Sequence, residues 1–120
     1  MESLHLLNTV SQKRAAQQLS ELIQNKRFTA WFQPIIDFSA PDRIHYEALI
    51  RAPKDSIFSS PSDLFKAASL FDCVEQLERV CLEISCRSFI EHKLAGKLFV
   101  NISPLTLINS NSEQATVQVI

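Results

Sequence analysis

Polar and apolar positions alternate with two different periods along this chain, and the change of period marks its elements. Leu4, Leu7, Ala15, Leu19, Leu22 and Ile23 recur at helical spacing with polar residues between them. Residues 3–26 therefore predict one or two amphipathic helices, with a candidate break at Asn8-Thr9. Such a helix packs on its own domain, or it serves as a connector or a dimer seam; its short, irregular heptads favour packing. FTAWFQPIIDF (28–38) is aromatic and β-branched, which predicts a strand, and Pro34 places that strand at an edge or a bulge. SAPD (39–42) reads as a turn and RIHYEALIRA (43–52) as a second strand. So short a connection requires the two strands to run antiparallel.

PKDSIFSS (53–60) reads as a loop. Ser60-Pro61-Ser62-Asp63 then carries the marks of a helix start: a hydroxyl cap, a proline in the first turn and an acid at the third position. Leu64, Ala67, Ala68 and Phe71 make the apolar face of that helix. A second helix is predicted over 74–92, with Leu77, Val80, Cys81, Ile84 and Phe89 on one side. Gly96 falls where a helix-to-strand turn needs it. KLFVNIS (97–103) reads as a third strand, parallel to the second because a helical crossover joins them. TVQVI near the end reads equally as a strand or a frayed terminus. The order predicts the start of an α/β layer fold or barrel.

Composition narrows the function. The chain has 120 residues, 46% of them hydrophobic, and a formal net charge of −1. That size suits one compact domain. The charge balance gives no sign of a nucleic-acid polymer or a membrane as partner. The apolar runs are too short to span a bilayer, and the first residues make a poor signal peptide. The chain reads as cytoplasmic and soluble. Cys73, Cys81 and Cys86 form no metal-binding or redox spacing and read as small buried hydrophobes in a reducing compartment. A single glycine excludes a glycine-rich phosphate loop.

Parity then singles out a set of polar side chains. In the second strand Ile44, Tyr46, Ala48 and Ile50 share one face, and His45, Glu47, Leu49 and Arg51 the other. The first face should pack under the helices. Glu47 and Arg51 stand roughly 13 Å apart along the strand, too far to pair with each other. In the third strand Phe99, Asn101 and Ser103 share a face, so Asn101 is a polar residue in an apolar strand, and Gln33 poses the same question in the first. A carboxylate and an amide oxygen on neighbouring strands suit a hard divalent cation. An arginine further along suits a phosphate. The competing reading is a solvated strand face.

FQPIID (32–37), YEALIRA (46–52) and LFVNISP (98–104) resemble the opening motifs of the EAL domain family, the bacterial phosphodiesterases that open cyclic di-GMP to linear pGpG. SPSDLFKAASLF and QLERVC between them are similar to the family's helices, and the resemblance covers residues 18–108. It implies a partial TIM-like (β/α) barrel: first two strands antiparallel, third parallel to the second, preceded by an N-terminal helix. It divides the chain into an amphipathic helical segment, 1–27, and the N-terminal portion of an EAL domain, 28–120. It implies Glu47 and Asn101 as catalytic ligands of Mg²⁺ or Mn²⁺, Arg51 as a phosphate-holding residue and Gln33 as a wall of the substrate pocket.

A complete barrel takes about 250 residues. The family's further acidic ligands, the lysine beside the attacking water and the glutamate after it are absent here. The expectation is a fragment of a cyclic di-GMP phosphodiesterase, inactive alone, that dimerises or pairs with the remainder of the barrel. A degenerate module that binds cyclic di-GMP or a protein partner without turnover is the alternative. A scaffold using residues 3–26 as its contact is a third reading.

Overall fold

The computed structural model describes residues 9–103 and Thr106. The elements are α1 (Thr9–Gln24), β1 (Thr29–Ile36), β2 (Ile44–Arg51), α2 (Pro61–Leu70), α3 (Val74–Glu91) and β3 (Leu98–Phe99). The sheet has the order β1-β2-β3. β1 and β2 are antiparallel, with Gln33 opposite Glu47, and β2 and β3 are parallel, with Glu47 opposite Phe99. This is an α/β arrangement with an N-terminal helix and a mixed sheet that does not close into a barrel among the described residues.

β1 lies at the sheet edge, where Pro34 withholds no ladder donor that a neighbour needs. It ends before the expected residue 38 because Asp37 captures the turn: its Oδ1 accepts from the Ser39 backbone N–H at 2.9 Å and from the Ser39 hydroxyl at 2.6 Å. α2 starts as its sequence predicts. Ser60 caps it, accepting from the Asp63 N–H at 3.1 Å. The Asp63 carboxylate does not reach back to complete a capping box; it accepts from the Ser59 hydroxyl at 2.8 Å.

The core lies between the helices and the even-numbered face of β2. Leu19, Leu22, Phe28, Phe58, Leu64, Ala67, Ala68, Leu77 and Cys81 form one buried cluster, with Ile23, Ile50, Phe71, Val80 and Ile84 packed on it. Phe89 of α3 meets Phe32 and Tyr46 edge-on, at ring-centroid distances of 5.9 Å and 6.2 Å. The faces expected from helical spacing are therefore the ones buried. Ile44, at the end of β2, stays exposed. The α1 residues Ala15, Leu19 and Leu22 are buried within the domain, so α1 is a core helix; Leu4, Leu7 and the TVQVI stretch lie outside the described residues.

The third strand corrects the sequence reading. It spans Leu98–Phe99 and not 97–103. Beyond Phe99 the chain is drawn toward α3: both carboxylate oxygens of Glu78 accept from the Ser103 N–H at 3.1 Å, and Oε1 accepts from the Ser103 hydroxyl at 2.8 Å. Gly96, before β3, has φ +90°, and a Cβ there would overlap the carbonyl oxygen of Ile44. That close approach lets the Lys97 N–H donate to His45 Nδ1 at 2.8 Å and Lys97 O accept from the Tyr46 N–H at 2.9 Å, which sets the β2–β3 register.

Candidate functional site

The odd-numbered face of the sheet is the one the helices leave open. Glu47, at the centre of β2, sits between Gln33 on β1 and Phe99 on β3. Asn101 follows Phe99 by two residues and keeps its parity. Its Nδ2 donates to Glu47 Oε2 at 3.1 Å. The carboxylate is half-buried and the amide exposed. The two side chains thus meet on one surface. A half-turn about the Cβ–Cγ bond of Asn101 would bring its Oδ1 beside the carboxylate, giving two hard oxygen donors for a cation.

The fit to a metal is partial. One carboxylate and one amide are the donor types Mg²⁺ and Mn²⁺ prefer. Among the described residues, no group of three or more His, Cys, Asp or Glu side chains could hold an ion. Glu78 of α3 is buried, but both its oxygens are committed to Ser103, whose hydroxyl oxygen also lies 3.0 Å from Thr106 Oγ1. It anchors the chain that carries Asn101. Sequence reading did not single it out. The available signal was its place on α3 beside Leu77 and one turn from Cys81, inside an apolar stripe.

Arg51 ends β2 and stands apart from the Glu47–Asn101 pair. Among the described residues no carboxylate forms an ion pair with it. Its Nη1 donates to the Ile50 carbonyl at 3.4 Å, and its Cζ lies 5.6 Å from the centroid of the Trp31 ring. Trp31 is a residue that sequence reading took only as strand-forming. Its odd parity, shared with Gln33, placed it on this face; finding its neighbour required the β1–β2 register, which puts Arg51 opposite Thr29 and thus diagonal to Trp31. Gln33 is exposed, directly across from Glu47.

The cysteines add no chemistry to this site, and a neighbouring cavity is largely apolar. Burial pushes the Cys81 thiol up to about 12, helped by the Glu78 charge, and burial also raises Cys73 and Cys86. All three are free and poorly suited to thiolate chemistry. A cavity of about 110 Å³ lies between the sheet and α2–α3, lined by Ala48, Ile50, Phe65, Ser85 and Val100 and reaching Asn101.

Comparison with known proteins completes the description. The family model of the EAL domain matches residues 16–119. No curated protein matches the chain. Among solved structures, the chain is similar to the FimX EAL domain of Pseudomonas aeruginosa bound to c-di-GMP, with 26% identity and a TM-score of 0.65 over 82% of this chain and 40% of that one. A second FimX EAL domain structure matches at 26% identity and a TM-score of 0.60, covering 74% of this chain and 38% of that one. The Xanthomonas citri FimX EAL domain in complex with c-diGMP shares the fold at 24% identity and a TM-score of 0.66, covering 90% of this chain and 45% of that one. The matches span less than half the length of each of these structures. With the EAL motif at Glu47-Ala48-Leu49 and a family match across most of its length, the chain belongs to the EAL domain family.

Proposed function

We propose that the chain supplies the first part of a cyclic di-GMP site, and that the domain it belongs to, completed as a TIM-like barrel, hydrolyses cyclic di-GMP to pGpG with Mg²⁺ or Mn²⁺. The observation that carries this reading is the 3.1 Å contact between Asn101 and Glu47, the two side chains whose types and parity pointed to a cation. Relatives bound to c-di-GMP support the ligand. Glu47 and Asn101 hold the metal through carboxylate and amide oxygens. Bound there, the metal supplies water activation and charge stabilisation at phosphorus. Arg51 offers a guanidinium fork to a phosphate, and Gln33 forms the pocket wall beside Glu47. Without metal, the Asn101 amide keeps the Glu47 carboxylate oriented toward the open face.

Titration calorimetry of the chain with Mn²⁺ tests the pair. Glu47→Gln should weaken Mn²⁺ binding tenfold or more, about 1.4 kcal/mol per factor of ten, and Mn²⁺ affinity equal to the unaltered chain's would remove Glu47 from the metal site. The chain alone should form no pGpG. A second reading, binding without turnover, is favoured by one observation: the described residues assemble only two donors. It predicts cyclic di-GMP binding whose affinity is the same with Mn²⁺ or with chelator, and metal-dependent affinity would count against it.

A further inference from the structure

Trp31 is the chain's only tryptophan and is 58% exposed on the open sheet face, on the edge strand β1. Along that face it lies level with Leu49, between the Glu47 row and Arg51. The Arg51 guanidinium carbon sits 5.6 Å from its ring centroid, within the range in which a cation is drawn to an indole. Arg51 has little else to hold it: one long hydrogen bond to its neighbour's carbonyl, and no carboxylate among the described residues.

We infer that Trp31 is a positioning residue of the dinucleotide site, fixing the Arg51 guanidinium over its ring so that the group is already placed when a phosphate arrives. The inference rests on the proposed cyclic di-GMP site. Attraction to a ring uses the charge of a guanidinium and consumes none of its five N–H donors, so the bidentate edge stays free for phosphate oxygens. A carboxylate partner would hold Arg51 equally well but would compete with the phosphate. A long side chain anchored before binding also loses less freedom on binding. Trp31 thus acts through Arg51, without having to touch the dinucleotide.

The test is a double-mutant cycle on the 120-residue chain, with cyclic di-GMP affinity read by calorimetry. Trp31→Leu should weaken binding about fivefold when Arg51 is present and less than twofold in an Arg51→Gln background; Trp31→Phe, which keeps a ring face, should recover most of the loss. Equal losses in both backgrounds would mean that Trp31 serves the fold alone, and would overturn the inference. A ligand-free measurement separates this from the failure of the functional reading. Iodide, an anion, should quench the single indole more strongly in the unaltered chain than in Arg51→Gln, while neutral acrylamide quenches both alike. If cyclic di-GMP does not bind, the dinucleotide reading falls and the iodide result still decides whether Arg51 stands over Trp31. Equal iodide quenching in the two proteins would remove the pairing.

Discussion

Gly96 has φ +90° and no room for a Cβ against the Ile44 carbonyl, so backbone conformation and space both demand glycine there. Gly96→Ala should cost about 2 kcal/mol or more in urea denaturation, and a loss under 0.5 kcal/mol would show that the turn shifts freely. The same substitution should weaken the protection of the Tyr46 amide from hydrogen exchange, since Tyr46 donates to Lys97 one residue further on. The thiols give a second check at this scale. With Cys81 pushed up to about 12 by burial, native chain at pH 8 should react with a thiol reagent at Cys81 far more slowly than urea-unfolded chain. Single residues were legible in the sequence where parity alone decided their surroundings. Glu47 and Asn101 share a face for that reason, and Gly96 carried its own conformational signature. Trp31 and Glu78 were not legible so. Their partners, Arg51 and Ser103, are fixed by strand register and by helix-to-strand packing, which no local pattern encodes.

α1 and β3 depart from isolated-element reasoning in opposite ways. Helical spacing found α1, but the choice between packing, connector and seam depended on what its apolar stripe meets. Leu19 and Leu22 enter the same cluster as Leu64 and Leu77, and Gln18 Oε1 accepts from the Ile57 N–H at 2.7 Å, tying α1 to the loop before α2. Leu19→Ala should therefore destabilise the chain by roughly 2–5 kcal/mol. A seam helix would instead leave monomer stability unchanged and lower the sedimentation coefficient. In β3 the apolar-polar alternation continued to residue 103, yet the ladder stops at Phe99, because a buried carboxylate on α3 takes the Ser103 N–H that a longer strand would have offered to β2. Glu78→Ala should cost about 1–3 kcal/mol and speed exchange at the Ser103 amide. Acid should loosen another junction. Glu83 of α3 accepts from Lys26 Nζ at 2.8 Å and from Arg87 Nη2 at 2.7 Å, and the Lys26 hydrogen bond leads the interactions that lower its pKa. A lowered folded-state pKa means stability that is present above the unfolded value of 4.5 and is lost as pH falls through the folded value. Glu83→Gln should remove that part of the acid sensitivity and leave stability at pH 7 slightly lower.

For the molecule as a whole, the sheet has two unequal faces. The even side is covered by helices along most of its length, with Ile36 and Ile44 left exposed at one end. The odd side carries Glu47, Gln33, Arg51 and Asn101, but also Trp31, Ile35 and Phe99, which are 58%, 37% and 48% exposed. Large apolar groups gathered on one side of a sheet, between polar ones, are what a barrel interior looks like when it faces water, and a contiguous patch of this kind drives association. The β1 edge is an unfavourable alternative route, because Pro34 interrupts its free donors. The expected outcome is association through the face and not the edge. In sedimentation velocity the weight-average coefficient of the chain should rise with protein concentration and should rise equally at low and high salt, since burial of apolar surface and not ion pairing drives it. Ile35→Ser with Phe99→Ser should abolish the rise without touching Glu47, Asn101 or Arg51. A coefficient independent of concentration in the unaltered chain would show that the open face tolerates water unaided, and the polar residues among its apolar ones would then be sufficient cover.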